Sequence, residues 1–73
     1  MAESDGIRIR FGKRLRELRL ERALSQEELA FRSGLHRTYV SSTERGSRNV
    51  SLVALERLAI ALGVSLSVLL EEV

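Results

Sequence analysis

From Ser25 onward, serine and glycine punctuate this chain at short intervals, and proline is absent throughout. That pattern limits the fold to a succession of short helices. Ser25 is followed three residues later by Glu28, which makes a capping box. Gly34 stands where a left-handed residue would end the same helix. The spacing predicts a helix over about Gln26–Ser33 that buries Leu29 and Ala30. A further helix begins near Arg37 with His36 as its cap and closes at Gly46. Ser51 caps the next, about Leu52–Leu62, with Leu55, Leu58, Ala59 and Leu62 as its core stripe and Gly63 as its end. Ser65 caps a last short helix through about Glu71. Upstream, Phe11, Leu15, Leu18 and Arg22 recur at spacings of four, three and four, so a helix is expected over about Ile7–Arg22, started by Ser4 or Asp5. No strand alternation, repeat, linker or low-complexity segment interrupts the series. The expectation is five helices in one compact all-α domain spanning residues 1–73.

Composition excludes several functions. There is no cysteine, so there is no disulfide, thiolate nucleophile or cysteine metal site. The core must then supply the stability, and the expected location is the cytoplasm. His36 is the only histidine, which rules out a two-histidine metal cluster. Glu27/Glu28 and Glu71/Glu72 are adjacent pairs; neighbours on a helix diverge by about 100°, so neither pair converges on one atom. No phosphate loop is present. An enzyme is therefore not expected, nor is a metal, a cofactor or a small-molecule ligand. No run reaches the length of a membrane span. The net charge of +2 conceals an asymmetry: residues 1–48 carry +4 and residues 49–73 carry −2. Eleven of the twelve basic residues are arginines, whose forks suit phosphate and guanine edges better than ammonium groups do.

The helices either side of "SGLH" are joined by a tight glycine-containing turn, which is a helix-turn-helix over about residues 26–45. The blocks "SQEELA", "SG", "ERGSRN" and "LAIALGVSL", in that order, resemble the Cro/phage-repressor-like (XRE) helix-turn-helix family, and the resemblance covers roughly residues 9–70. Within it, "HRTYVSSTERGSRNVSL" looks most like the controller proteins of restriction–modification systems. The resemblance implies a five-helix lambda-repressor-like fold. It also implies a transcriptional regulator that binds a palindromic double-stranded DNA operator as a homodimer.

On the third helix, Val40 and Thr43 face the core, while positions 37, 38, 41, 42 and 45 lie on the other side. The resemblance makes this the recognition helix. It implies that Arg37 and Thr38 meet base edges, that Ser42 reaches bases or the DNA backbone, and that Ser41 reaches the backbone. Gln26, at the N-terminus of the second helix, is expected to bind phosphate with its amide and the helix-end N–H groups. Arg48 is expected on phosphate or a base, and Asn49 on phosphate or in its own turn. Tyr39 is expected to pack its ring at the core rim. Arg19 and Glu44 match a structural ion pair of the family.

Three positions depart from the family pattern. Ala23 replaces a common glycine, Thr43 a usual aliphatic residue and Val50 a common proline. If Ala23 is left-handed, it costs on the order of 1 kcal/mol. The Thr43 hydroxyl is expected to bond the carbonyl four residues back.

From Val50 to Val73, 16 of 24 residues are apolar, more than a small domain can hide. A dimerisation region over about residues 50–73 is expected, with Val53, Ile60, Leu66, Val68 and Leu69 in the interface and Leu70 close by. The rival reading is an antitoxin-type or other protein-binding module on the same fold, which would be expected to carry a tail beyond the last helix.

Overall fold

The computed structural model describes residues 2–73, with side chains described from Gly6 onward. Five helices follow in order: α1 (Ala2–Glu21), α2 (Gln26–Ser33), α3 (Arg37–Glu44), α4 (Leu52–Leu62) and α5 (Leu66–Leu69). No strand occurs among the described residues. The fold is the expected all-α arrangement. One start differs: α1 begins at Ala2, so Ser4 and Asp5 lie within the helix instead of capping it, and their side chains fall outside the described residues.

The expected caps form. The Ser25 hydroxyl accepts the Glu28 N–H at 3.0 Å, and the Glu28 carboxylate accepts the Ser25 N–H at 2.9 Å. The Ser25 amide, and then its hydroxyl, hold the Glu28 carboxyl below the usual carboxylate range. Ser51 and Ser65 accept from the amides of Ala54 and Val68 in the same way. α1 ends in a Schellman pair, Ala23 N–H to Leu20 and Leu24 N–H to Arg19, which requires a left-handed residue at position 23. Ala23 adopts it at φ 54°. Alanine therefore bears the strain of about 1 kcal/mol that glycine would avoid.

The core joins Phe11, Leu15 and Leu18 of α1 with Leu24, Leu29, Ala30, Val40, Leu58, Ala59, Leu62 and Leu69. Two expectations are corrected here. Ala54 is fully buried on α4, and Leu55 is only partly so, packed against the cluster's edge. Leu69, expected at a dimer interface, is 0% exposed. The single turn of α5 docks on α1 and α4 and spends this side chain on the core of its own chain.

Arg10 and Arg14 of α1, and Arg22 just after it, reach backbone carbonyls in the C-terminal part of the chain. Arg22 Nε donates to Leu62 O at 2.6 Å, Arg14 Nη2 to Val68 O at 2.7 Å, and Arg10 Nε to Val73 O at 2.6 Å. Leu62 and Val68 lie in the last turns of α4 and α5, where carbonyls lack helical partners and carry partial negative charge, so guanidinium groups suit them. Part of the arginine that composition offers to phosphate is thus used to hold the C-terminal segment against α1.

Candidate nucleic-acid interface

α2 and α3 pack against each other across the Gly34–His36 turn, and α3 lies on α1. Val40 and Thr43 anchor α3, at 0% and 1% exposure, and the Thr43 hydroxyl donates to Tyr39 O at 2.7 Å. The bond four residues back is the one expected from the sequence. It lets a hydroxyl replace an aliphatic side chain in the core without an unpaired donor.

The end of α3 is tied to α1 by the expected ion pair. Arg19 Nε donates to Glu44 Oε2 at 2.6 Å and Nη2 to Oε1 at 2.9 Å, with side chains 9% and 4% exposed. The third arm, Nη1, donates to Leu24 O at 2.8 Å. Gln26 joins the same group, its Nε2 donating to Glu44 Oε1 at 3.1 Å. The Glu44 carboxylate raises the Arg19 guanidinium above its already high ordinary value, against a smaller opposing effect of burial. Gln26 is thereby fixed at the α2 N-terminus. It lines an open polar recess of about 380 Å³ together with Arg19, Ser25, Glu27 and Arg37. The structure thus brings Gln26 and Arg37, from two different helices, to one opening.

Arg37, Thr38 and Arg45 are exposed on the outer face of α3. His36 caps the helix: its Nδ1 accepts the Thr38 N–H at 3.3 Å and lies within hydrogen-bond distance of the Thr38 hydroxyl. Thr38 is therefore held with a fixed rotamer. Ser41 is half-buried, and its hydroxyl accepts from Arg45 Nη1 at 2.6 Å.

Ser42 departs from the expectation. The helical wheel puts it on the open side, yet it is buried. The loop after α3 folds back over it: the Ser47 hydroxyl and amide both donate to Ser42 O, and Arg48 Nε donates to the Ser42 hydroxyl at 2.8 Å. The Ser42 hydroxyl itself donates to Tyr39 O at 3.2 Å. This hydroxyl is thus engaged within the chain on both sides.

Tyr39 was expected at the core rim, and it is half-buried there. Sequence reasoning did not find its partners. The Arg48 guanidinium carbon lies 4.3 Å from the ring centroid, and the Tyr39 hydroxyl accepts the Ser51 N–H at 3.2 Å. No sequence signal links positions 39, 48 and 51. Asn49 is exposed beside Arg48, at the edge of an apolar cavity of about 130 Å³ lined by Ile7, Phe11, Val50, Leu55, Leu70 and Val73.

Away from this face, Val53 (60% exposed), Ile60 (72%), Leu66 (44%) and Val68 (38%) stand open on α4 and α5. Leu52 and Leu70 are open as well. Among the described residues, no group of three metal-binding side chains could hold an ion, and no helix is long and apolar enough to cross a membrane.

A profile of the helix-turn-helix family matches residues 15–69. Control protein C.MunI of a Mycoplasma species is 52% identical over 68 residues, which is 92% of each chain. The solved structure of the restriction–modification controller protein C.AhdI from Aeromonas hydrophila superposes with a TM-score of 0.83 at 56% identity, covering 85% of this chain and 94% of that one. The controller protein C.Esp1396I, solved as a tetramer on its natural 35 base-pair operator, superposes with a TM-score of 0.77 at 39% identity, covering 81% of this chain and 78% of that one.

Proposed function

We propose that this chain, which belongs to the helix-turn-helix family over residues 15–69, is a sequence-specific regulator of transcription of the restriction–modification controller type. It binds double-stranded operator DNA, as its relative C.Esp1396I does. The observation that carries this reading is the shared opening of Gln26 and Arg37 beside an α3 face left free of packing. α3 enters the major groove, and Arg37 forks onto guanine O6 and N7. The methyl group of Thr38, whose hydroxyl is occupied by His36, suits a thymine methyl. Gln26 has a second amide hydrogen for phosphate, alongside the N–H groups at the α2 N-terminus. Arg48, Asn49 and Ser41 lie along the DNA backbone. The work of the protein is binding, not catalysis, and its place is with the DNA in the cytoplasm.

Selection of bound sequences from a random DNA pool, followed by titration of variants, tests this reading. Arg37→Ala is expected to lose roughly 1–3 kcal/mol on the selected site and to relax preference at one position per half-site. Gln26→Ala is expected to weaken all sequences about equally. Equal, uniform losses from both variants would refute the base-reading role of Arg37. Binding is also expected to fall steeply with salt as phosphate contacts release counterions. Flat salt dependence would refute DNA binding itself.

The open apolar faces of α4 and α5 support a symmetric homodimer through Val53, Ile60, Leu66 and Val68, with Leu52 and Leu70 adding area. Such a dimer sets two recognition helices about 34–36 Å apart, one helical turn of DNA. One half-site alone discriminates too weakly to be found in a genome. Val68→Asp is expected to weaken the dimer by about tenfold or more, since each 1.4 kcal/mol is a factor of ten. Operator binding should weaken with it, and helical circular dichroism should not change. Sedimentation equilibrium reads the result; an unmodified protein that stays monomeric at high micromolar concentration would refute the dimer.

A further inference from the structure

Resting on the DNA-binding reading above, we propose that Tyr39 is a positioning residue for Arg48. It holds the guanidinium flat before DNA arrives, so that the two Nη groups are presented as the arginine's free donors.

Three observations meet at this point. The Arg48 guanidinium carbon lies 4.3 Å from the Tyr39 ring centroid, within the range of a cation–π stack. Arg48 Nε is bound to the Ser42 hydroxyl at 2.8 Å, so the group is pinned at one corner as well as stacked on one face. The ring is itself braced: its hydroxyl accepts the Ser51 N–H at 3.2 Å, and Ser51 is the N-cap of α4. Ser42, the other anchor, is buried and bonded back to Tyr39 O at 3.2 Å. A free arginine side chain surrenders much rotamer entropy when it is immobilised on a ligand. Here that ordering is done within the free protein. Because the brace ends at the N-cap of α4, the same chain of contacts fixes the loop that carries Arg48 and Asn49 relative to the helix proposed for dimerisation.

The test is a double-mutant cycle of Tyr39→Leu and Arg48→Ala. It is titrated at fixed salt on the DNA that the unmodified protein selects, with nuclear magnetic resonance of the free proteins alongside. Tyr39→Leu is expected to weaken binding by about three- to tenfold when Arg48 is present. In the Arg48→Ala background it should have no further effect. Tyr39→Phe keeps the ring and should stay within about twofold of the unmodified protein. In the free protein, the ring current should shift the Arg48 side-chain protons upfield, in Tyr39→Phe as well but not in Tyr39→Leu. An equal loss from Tyr39→Leu in both backgrounds would overturn the proposal, because the ring would then touch DNA or hold the fold on its own account. So would a Tyr39→Phe variant as weak as Tyr39→Leu, or an absent ring-current shift. If the unmodified protein selected no DNA at all, the DNA-binding reading would fall and the proposal with it. A ring-current shift still present in that case identifies the reading, not the stack, as the failure.

Discussion

Replacing Arg19 with alanine is expected to remove a large part of the stability of this domain. The side chain makes three charge-assisted or carbonyl hydrogen bonds at 2.6, 2.9 and 2.8 Å, linking α1 to Glu44 at the end of α3 and to Leu24 in the α1–α2 turn. Truncation leaves the Glu44 carboxylate, 4% exposed, with Gln26 as its remaining side-chain partner. A buried charge stripped of its counter-ion costs roughly 3–5 kcal/mol. A chain of this length has about 4–11 kcal/mol in all. Thermal unfolding monitored by circular dichroism should show the midpoint falling by more than about 10 °C; a midpoint within about 3 °C of the unmodified protein would mean the pair is not buried. The double variant Arg19→Met, Glu44→Leu should recover much of the loss, because it removes both charges instead of orphaning one. The pH dependence has a definite sign. The folded guanidinium is raised, so its contribution is complete below the unfolded value and is lost only as pH rises through the folded one. Both lie above the range in which proteins are handled, so the arginine side of the pair stays intact from acid to moderately alkaline solution.

Gly12→Ala should also destabilise, against the usual sign for a helix interior. On an open helix face the change gains about 1 kcal/mol from propensity. Here a β-carbon would meet Thr43 O at 2.6 Å and Glu44 O at 2.7 Å, both of them backbone atoms of α3. Flexible side chains could turn aside; a helix carbonyl moves only if the helix does. Overpacking of this kind costs roughly 1–3 kcal/mol and sometimes more, and the displacement falls on the residue that carries Glu44. Set against the propensity gain, the net expectation is a loss of about 1 kcal/mol or more, hence a melting midpoint lower by roughly 4 °C or more. DNA binding should weaken in parallel, because α3 is the element pushed away. A variant more stable than the parent would show that α1 and α3 do not approach this closely.

Both predictions concern residues that the sequence marks unequally. Arg19 and Glu44 were readable through resemblance to a family, and the structure joins them. Gly12 carries no signal: a glycine within a helical stretch reads as a small local penalty until α3 is laid across it. The DNA face shows the same division. Arg37 and Gln26 were named through the family resemblance, and the structure leaves both at the opening beside α3. Ser42 was named with them, but its burial depends on a loop that returns over it.

What the sequence determined alone is the set of caps from Ser25 onward, while the start of α1, at Ala2, and the end of α5, at Leu69, differ from its reading. Ser25 with Glu28, Gly34, Ser51, Gly63 and Ser65 act on backbone groups no more than five residues away, so their chemistry is complete within the local segment. Only the tertiary structure decided which of the remaining side chains are free to bind anything. Arg10, Arg14 and Arg22 meet carbonyls 63, 54 and 40 residues further on, Leu69 turns into the core, and Tyr39 reaches Ser51 across 12 positions. A charged or apolar side chain has the same local pattern whether its partner is water, DNA or a distant carbonyl, and only the packing of the helices selects among them.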